Sequence, residues 1–589
     1  MKAAVAEIEV KGTQTVTKDR SYEQARLVCW IVCIGFALLE AWSQRQFINE
    51  DGISYLDMSD VLIKHNWHLL INPIWSPLYP LLIGLVTWFA HPSAQWEVPL
   101  VHGVNFVIFL GALASFEFLL RQVISLGQEN RREGSPSAAH IPVWIWQLLG
   151  YSFFAWSTFG MLWAPRMVTP DLCVTAFVYL DSGLLLSLRT STNRSRTCLL
   201  LGLTLGLGYL AKAILFPMAF VFMAVAFFVI GDWKKAALPL ATTFLLFCAV
   251  SAPLFIAMSM RVGRPSYSEA GNLNYAWHVN NVGGGKLAGG PFFLPASGPP
   301  PYLRHPVTLL HESPDAFGFR EPLAFTYPPR QDMEYWGAGT RAGFNLRDQF
   351  RAIGGSLAVL FGDPHVAPLT GLIVVALVFL FVRRNSLRGF KDILGSWPLL
   401  VPGIAAVCLY SLISVEPRYV APFLVLVLLG LLPGILLDNP AAAAKPVAIL
   451  TMVVAASLTV LTAAFVVYHL AGFPRGVRGE ALGVYVQVGT SLNRAGVLPG
   501  EEVALIGDSS DGCRWARMAR VRIVAQILRE DTGDFWKASK SVKADVYDAL
   551  ARAGAKAVVA EETPPPGEIA DWQRLGDTFY YVHFLSRSE

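Results

Sequence analysis

Charge is scarce in this chain: charged residues fill 15% of 589 positions, where a soluble domain carries about 25%. That shortage excludes an ordinary soluble protein, and a 54% hydrophobic content points to a polytopic membrane protein. Cysteine is sparse as well. Of seven, Cys29, Cys33, Cys173, Cys198, Cys248 and Cys408 lie in or beside apolar segments and only Cys513 in polar sequence, with no spacing that sets a disulfide framework or a zinc site. No small-x-small cleavage site follows the first apolar run, so no cleavable leader is read. A net charge of +4 gives no reason to invoke nucleic acid. Repeats are absent beyond AAAA at 441–444. The GDSSDG stretch at 507–512 follows a strand-like run but is not GxGxxG, so a nucleotide site has little support.

What the chain does have is long apolar runs. Segments long enough to span a bilayer recur at 27–47, 98–120, 142–163, 170–189, 236–260, 366–383, 397–415, 418–437 and 446–470. The run 197–231 is too long for one span. Gly206, Gly208, Lys212 and Pro217 break it, so it reads as two short spans meeting near Lys212. The apolar run 77–90 has the length of an interfacial or re-entrant segment.

Short loops rich in Lys and Arg stay cytoplasmic. Four such clusters, Arg121/Arg131/Arg132, Arg189/Arg194/Arg196, Lys234/Lys235 and Arg383/Arg384/Arg388/Lys391, are each separated from the next by two spans. The N-terminus, with Lys11, Lys18, Arg20 and Arg26, is basic too. All five share one side only if 77–90 does not cross, which leaves about eleven spans and makes 48–97 a single external loop. The same parity puts outside the turn at 165–171, the break at Lys212, the segment 261–365, the turn at 415–419 and everything after about 471.

Those outer segments hold the candidate chemistry. Glu50-Asp51 follows the first span, and carboxylates at a membrane surface are costly to dehydrate. Asp51 is either a cap for a helix starting near Ile53 or a general base, and Glu50 competes for the second role. Asp57 and Asp60 follow at helical spacing as a solvated face. Asp171, after Thr169-Pro170, is equally a helix cap or a site carboxylate, with Arg166 on the same turn. Lys212, between two half-spans, either snorkels to the interface or meets an anion. Arg418, beside Tyr419, faces outward against the positive-inside trend, which favours phosphate binding. The histidines His278, His305 and His311 lack metal-ligand spacing and read as surface or packing residues. Two carboxylates and three cations on one face suit a reaction in which an anionic lipid-borne group departs while a hydroxyl is deprotonated.

The acidic pair, the Pro-Leu-Tyr-Pro turn at 77–80, the T-P-D turn at 169–171, the broken GLGYLAK span and the P-R-Y turn at 417–419 resemble the GT-C membrane glycosyltransferases. The nearest groups are the protein O-mannosyltransferases and the lipid A aminoarabinose transferases. The resemblance covers roughly 45–235 and 410–425. It implies a polyprenyl-phosphate-linked sugar donor, an external lipid, glycan or protein acceptor and inversion at the anomeric carbon. It also implies Asp51 as base, Asp171 as second acidic residue, and Lys212 and Arg418 on the donor phosphate, joined as candidates by Arg166 and Tyr419. Ser76 stands where some relatives carry a lysine before the proline, and the acidic pair is reversed from their Asp-Glu.

The expected architecture is a polytopic α-helical membrane protein, GT-C-like, with a small C-terminal α/β periplasmic domain. Its divisions are a cytoplasmic tail 1–26, a catalytic module 27–260, a periplasmic cap loop 261–365, further spans 366–470 and a soluble domain 471–589. The domain's strand-like runs are 502–507, 521–528, 556–560 and 580–585, with a helix at 543–554. The expected setting is a bacterial inner membrane, with the N-terminus cytoplasmic. No dedicated metal-ligand set is read, although site carboxylates are of the type that holds a divalent cation. A transporter or flippase of lipid-linked sugars is the rival reading, but only one run is broken and no second copy of it exists, against the repeat pattern of transporters. An assembly role would leave the outer charges without a purpose. A cysteine placed at Gln95 is expected to react with impermeant thiol reagents only from the outer face; labelling confined to the cytoplasmic side would overturn the parity.

Overall fold

The computed structural model describes residues 20–132, 141–191, 193–281, 308–319, 325–328, 342–382, 395–436, 441–472 and 483–585. Most of the predicted N-terminal tail and much of 261–365, His305 included, lie outside these residues. So do the Arg383/Arg384/Arg388/Lys391 cluster and the boundary near 471–482.

Each predicted span is occupied by a helix. The first part of the chain forms α1 (Arg20–Ser43), α2 (Glu50–Ser59), α3 (Val61–Lys64), α4 (Leu78–Ala90), α5 (Ala94–Arg132) and α6 (Val143–Ala155). α7 (Asp171–Ser187), α8 (Arg194–Ala211), α9 (Leu215–Ile230), α10 (Trp233–Val262) and the short α11 (Ala270–Asn274) follow. Then come α12 (Leu346–Gly362), α13 (Ala367–Val382), α14 (Trp397–Ser411), α15 (Pro417–Leu436) and α16 (Ala441–Gly472). Among the described residues five helices, α1, α5, α10, α15 and α16, are long and apolar enough to cross a membrane alone. α12 and α13 form a further apolar pair, bent by 87° at their junction. The others are shorter, and the run 197–231 divides as expected: α8 stops at Ala211, and Lys212 takes an extended backbone (φ −158°, ψ 135°) before α9 begins.

The segment between α1 and α5, expected to form the first external loop, is compact. α4 lies against α2 so closely that a Cβ on Gly84 would sit 2.5 Å from the Ser59 carbonyl oxygen. On the opposite side a Cβ on Gly52 would meet Val168 at 2.9 Å, so α2 is wedged between α4 and the turn before α7. Asn49 ties the start of α2 to that turn, its Oδ1 accepting from Val168 N at 2.9 Å. Asn105 of α5 holds the same turn by donating to the carbonyls of Pro165 and Met167, and accepts from Tyr79 Oη at 2.7 Å.

The C-terminal segment is a sheet domain, with α17 (Val484–Ala495), α18 (Ser509–Ala519), α19 (Thr532–Lys537) and α20 (Lys540–Arg552). Its strands β3 (Glu502–Gly507), β4 (Arg522–Leu528), β5 (Ala557–Ala560) and β7 (Tyr581–Phe584) coincide with the four strand-like runs. Two further strands come from the long loop: β1 (Thr308–His311) and β2 (Ala316–Gly318), with β2 antiparallel to β4. With β6 (Gln573–Arg574) the sheet order is β1-β2-β4-β3-β5-β7-β6. The β3 neighbours β4 and β5 are parallel to it. The sheet therefore unites residues from before and after the last predicted spans.

This domain docks on α2 through Arg517. All three guanidinium nitrogens donate: Nη1 to Asp57 Oδ1 (3.0 Å) and Asp60 Oδ2 (2.9 Å), Nη2 to Asp60 Oδ1 (2.9 Å) and Glu97 Oε1 (2.6 Å), and Nε to Glu97 Oε2 (3.1 Å). Asp57 and Asp60 are thus not a solvated face. Asp57 is 2% exposed and also accepts from the Thr326 amide and hydroxyl. Helical periodicity separated polar from apolar faces correctly but cannot tell water from a partner domain.

Burial pushes the Asp57 carboxyl up against the pull of Arg517. At Asp60 burial also pushes upward, but Arg517 and Lys64 together prevail and hold the group at about 2 against an ordinary 3.8. A carboxylate held low in the folded state contributes stability in full above pH 3.8 and loses it as pH falls to about 2. Asp57 runs the other way and shares Arg517 with Asp60, so the comparison is with Asp60→Asn, which keeps Asp57 in place. The stability gap between the two proteins is expected to shrink by about 2 kcal/mol between pH 5 and pH 2, measured by denaturant unfolding in detergent.

Candidate active site

Five segments that the sequence placed on the outer face converge on one cavity of about 420 Å3. They are 48–97, through the start of α2 and residues 74–76, the turn before α7, the break at Lys212, the segment 267–278 and the α14–α15 turn with its flanks.

Asp171 sits at the base, its side chain 5% exposed. Both oxygens are engaged: Oδ1 accepts from Lys212 Nζ at 2.6 Å and Oδ2 from Thr169 Oγ1 at 2.9 Å. Arg418 Nη1 lies 3.8 Å from Oδ2. Asp171 is the first residue of α7, after Pro170, and no side chain caps that helix. The break in 197–231 falls at Lys212, the one charged residue of its middle, where an ammonium in apolar surroundings is costly unless it is paired. Leaving helical geometry lets it reach Asp171, and it also sits 3.6 Å from the centroid of the Tyr419 ring.

Arg418 joins the two carboxylates. Its Nη2 donates to Asp51 Oδ2 at 3.4 Å and lies 3.3 Å from Tyr419 Oη. Tyr419 stacks on Tyr410 with ring centroids 5.4 Å apart, which fixes that wall. Asp51 is 28% exposed and lies in the first turn of α2, with Asn49 in the cap position. The cap assignment therefore fails for Asp51. A second cavity, of about 270 Å3, lies on its other side and is lined by Glu50, Trp163, Met167 and Arg514. Asp51, Glu416 and Arg418 line both cavities. The geometry offers one carboxylate open to two spaces, with a guanidinium beside it and an ammonium across the larger space.

The remaining candidates separate. Glu50 faces only the smaller cavity, 3.9 Å from Arg514 Nη2. Arg166 lines neither cavity, its guanidinium lying 4.8 Å from the centroid of the Phe47 ring. His278 lines the larger cavity but is exposed, while His311 hydrogen bonds to the Pro314 carbonyl oxygen. Sequence reasoning missed Tyr55, Tyr410 and Glu416, which read as ordinary interfacial residues. It also missed Arg514, which reaches the site from the C-terminal domain and is held by Tyr485 Oη at 3.1 Å. Its place in an amphipathic helix of a soluble domain gave no signal. Among the described residues no cluster of three or more His, Cys, Asp or Glu is arranged to hold a metal ion.

No family model and no curated protein matches the chain by sequence. Among solved structures it is similar to ArnT from Cupriavidus metallidurans in the apo state, at 12% identity and TM-score 0.48, over 95% of this chain and 98% of that one. The same protein bound to undecaprenyl phosphate gives 12% identity and TM-score 0.47 over the same shares. The Archaeoglobus fulgidus oligosaccharyltransferase, in complex with Zn and sulfate, gives 11% identity and TM-score 0.46, over 90% of this chain and 68% of that one.

Breaking a buried ion pair leaves an uncompensated charge. Lys212→Met is expected to cost about 1–3 kcal/mol of stability, less than a fully buried pair because Arg418 remains beside Asp171. Adding Asp171→Asn should recover most of that loss. Thermal unfolding of the single and double variants in detergent measures both steps.

Proposed function

We propose that the protein is a membrane glycosyltransferase that moves a sugar from a polyprenyl-phosphate carrier to a hydroxyl or amine of a lipid, glycan or protein acceptor. The observation that carries this reading is Asp51, a partly exposed carboxylate that lines two cavities, with Arg418 at 3.4 Å and Lys212 lining the larger one as well. The apolar helices supply a bilayer setting for the carrier's lipid tail. The setting proposed is a bacterial inner membrane, with the site and the C-terminal domain on the periplasmic face.

In this reading the donor phosphate lies in the larger cavity against Lys212 and Arg418, with Tyr419 flanking it. Fixed cations aimed at the place where negative charge develops stabilise a departing phosphate without reorganisation. The acceptor enters on the other side of Asp51, which takes the proton from its hydroxyl or amine. The acceptor atom then bonds to the anomeric carbon as the bond from that carbon to the phosphate oxygen breaks. The electron pair leaves with the polyprenyl phosphate. Attack opposite the leaving group inverts the anomeric centre.

Two features favour Asp51 over its neighbours as base. Asp171 has both oxygens committed and is nearly enclosed, which suits holding Lys212 and Arg418 in place. Glu50 faces only one of the two cavities. Arg166 and any divalent cation are left without a step.

Mass spectrometry of lipids co-purifying with the protein should identify a polyprenyl-phosphate sugar, and transfer from it to added acceptors should be measurable. Asp51→Ala should lower turnover about 10²–10⁴-fold, the usual cost of losing a general base, with Glu50→Ala affected less. Near-normal transfer in both variants would overturn the assignment. Carrier binding and translocation without any bond cleavage would favour a flippase instead.

A further inference from the structure

α18 carries two arginines three residues apart, and both turn toward the helix that presents Asp51. Arg514 approaches Glu50 in the first turn of α2. Arg517, one turn later, grips Asp57 in the last turn of α2 together with Asp60 and Glu97. We infer that Arg517 is a positioning residue for Asp51, through which the C-terminal domain sets where the proton acceptor stands. The inference rests on the reading of Asp51 as the base.

α2 is short, and Asp57 lies six residues beyond Asp51, about 9 Å along the helix axis. At its start Asn49 is tied to Val168 of the turn that leads to Asp171. At its end Asp57 is held by Arg517 on one side and by the Thr326 amide and hydroxyl on the other. Thr326 is itself bound into the C-terminal domain, its carbonyl oxygen accepting from Ile523 N at 2.9 Å. Sliding or rotation of α2 would therefore break contacts at both ends. The planar guanidinium spans three carboxylates at once, from α2, its flank and α5. A lysine has one nitrogen and cannot reproduce that fork. Arg517 lies in neither of the cavities that Asp51 lines, so it acts on the reaction indirectly, through the elements it holds, and α2 is the one of these that carries Asp51. A misplacement of about 1 Å at a reacting group is enough to lower a rate about 10²-fold.

The test uses Arg517→Lys and Asp57→Asn in the full-length protein in lipid nanodiscs, with Asp51→Asn as reference. Three quantities are measured: amide hydrogen exchange over residues 50–59, binding of undecaprenyl phosphate, and turnover at saturating substrates. In both variants exchange over 50–59 should rise at least about tenfold and turnover should fall about 10²-fold, while undecaprenyl phosphate binding stays within about twofold of wild type. Should Arg517→Lys fail to fold, the isosteric Asp57→Asn carries the test. Unchanged exchange overturns the inference whatever the activity. Wild-type turnover in the variants, with Asp51→Asn inactive, also overturns it while leaving the function standing. Turnover and phosphate binding lost together would mark a general structural tie and overturn it as well. Wild-type turnover in Asp51→Asn would instead sink the assignment of the base.

Discussion

A carboxylate as enclosed as that of Asp171 cannot stay charged unless cations are brought to it, and much of the site's architecture follows from meeting that need. Lys212 comes from 41 residues along the chain, at the point where the apolar run that contains it stops being helical. Arg418 comes from the far end of the helical region, where it also touches Asp51, 367 residues away. One buried charge thus draws together the turn before α7, the break between α8 and α9, and the start of α15. Each is a place where helix ends, so backbone irregularity and charge gather at the same level of the structure. That is where a membrane protein tolerates both, because the polar groups line a cavity rather than face lipid.

The two acidic residues differ in how far their surroundings have used them. Asp171 accepts from Lys212 and Thr169 and faces Arg418, so little of it remains for a ligand. Asp51 meets the same Arg418 at 3.4 Å, against 3.8 Å for Asp171, but is 28% exposed and lines two cavities. A group meant to hold cations benefits from saturation and burial. A group meant to accept a proton needs an open approach and a nearby cation to keep it ionised. Similar carboxylates at the starts of two helices are left in different surroundings by those contacts.

Much of this site was legible in the sequence, for identifiable reasons. A lysine inside an apolar run, an arginine in a turn that parity assigns to the side opposite the basic loops and an acidic pair behind an apolar run each violate an expectation strongly enough to stand out. Span parity predicted that they share one face, and the fold gathers them around one cavity. Other features carried no such mark. Asp57 and Asp60 repeat at helical spacing like any wet face, and only the docked domain reveals that they are covered. Arg514 and Arg517 are ordinary members of an amphipathic helix, in a domain whose alternating strands read as self-contained. Arg166 was singled out for its place in the turn, yet its side chain turns to Phe47. Position along the chain does not specify a rotamer.

The strands β1 and β2 show why the C-terminal domain belongs to the site. A sheet of β3, β4 and β5 with the antiparallel β7 would leave β4 as an open edge, and open edges invite pairing with other chains. β2 covers that edge from the long loop, with Phe317 opposite Gln526. A few residues on, Tyr327 Oη donates to the Gln526 side chain at 2.8 Å and Thr326 reaches Asp57. The same stretch therefore closes the sheet and clamps α2. Arg517 then places a charge where three carboxylates would otherwise repel one another, so the domain and the first loop stabilise each other. A domain serving only to capture a partner would need one flexible link to the helices. This one is bound by strand pairing, by Thr326 and by Arg517, and two of those three contacts act on the helix that begins with Glu50 and Asp51.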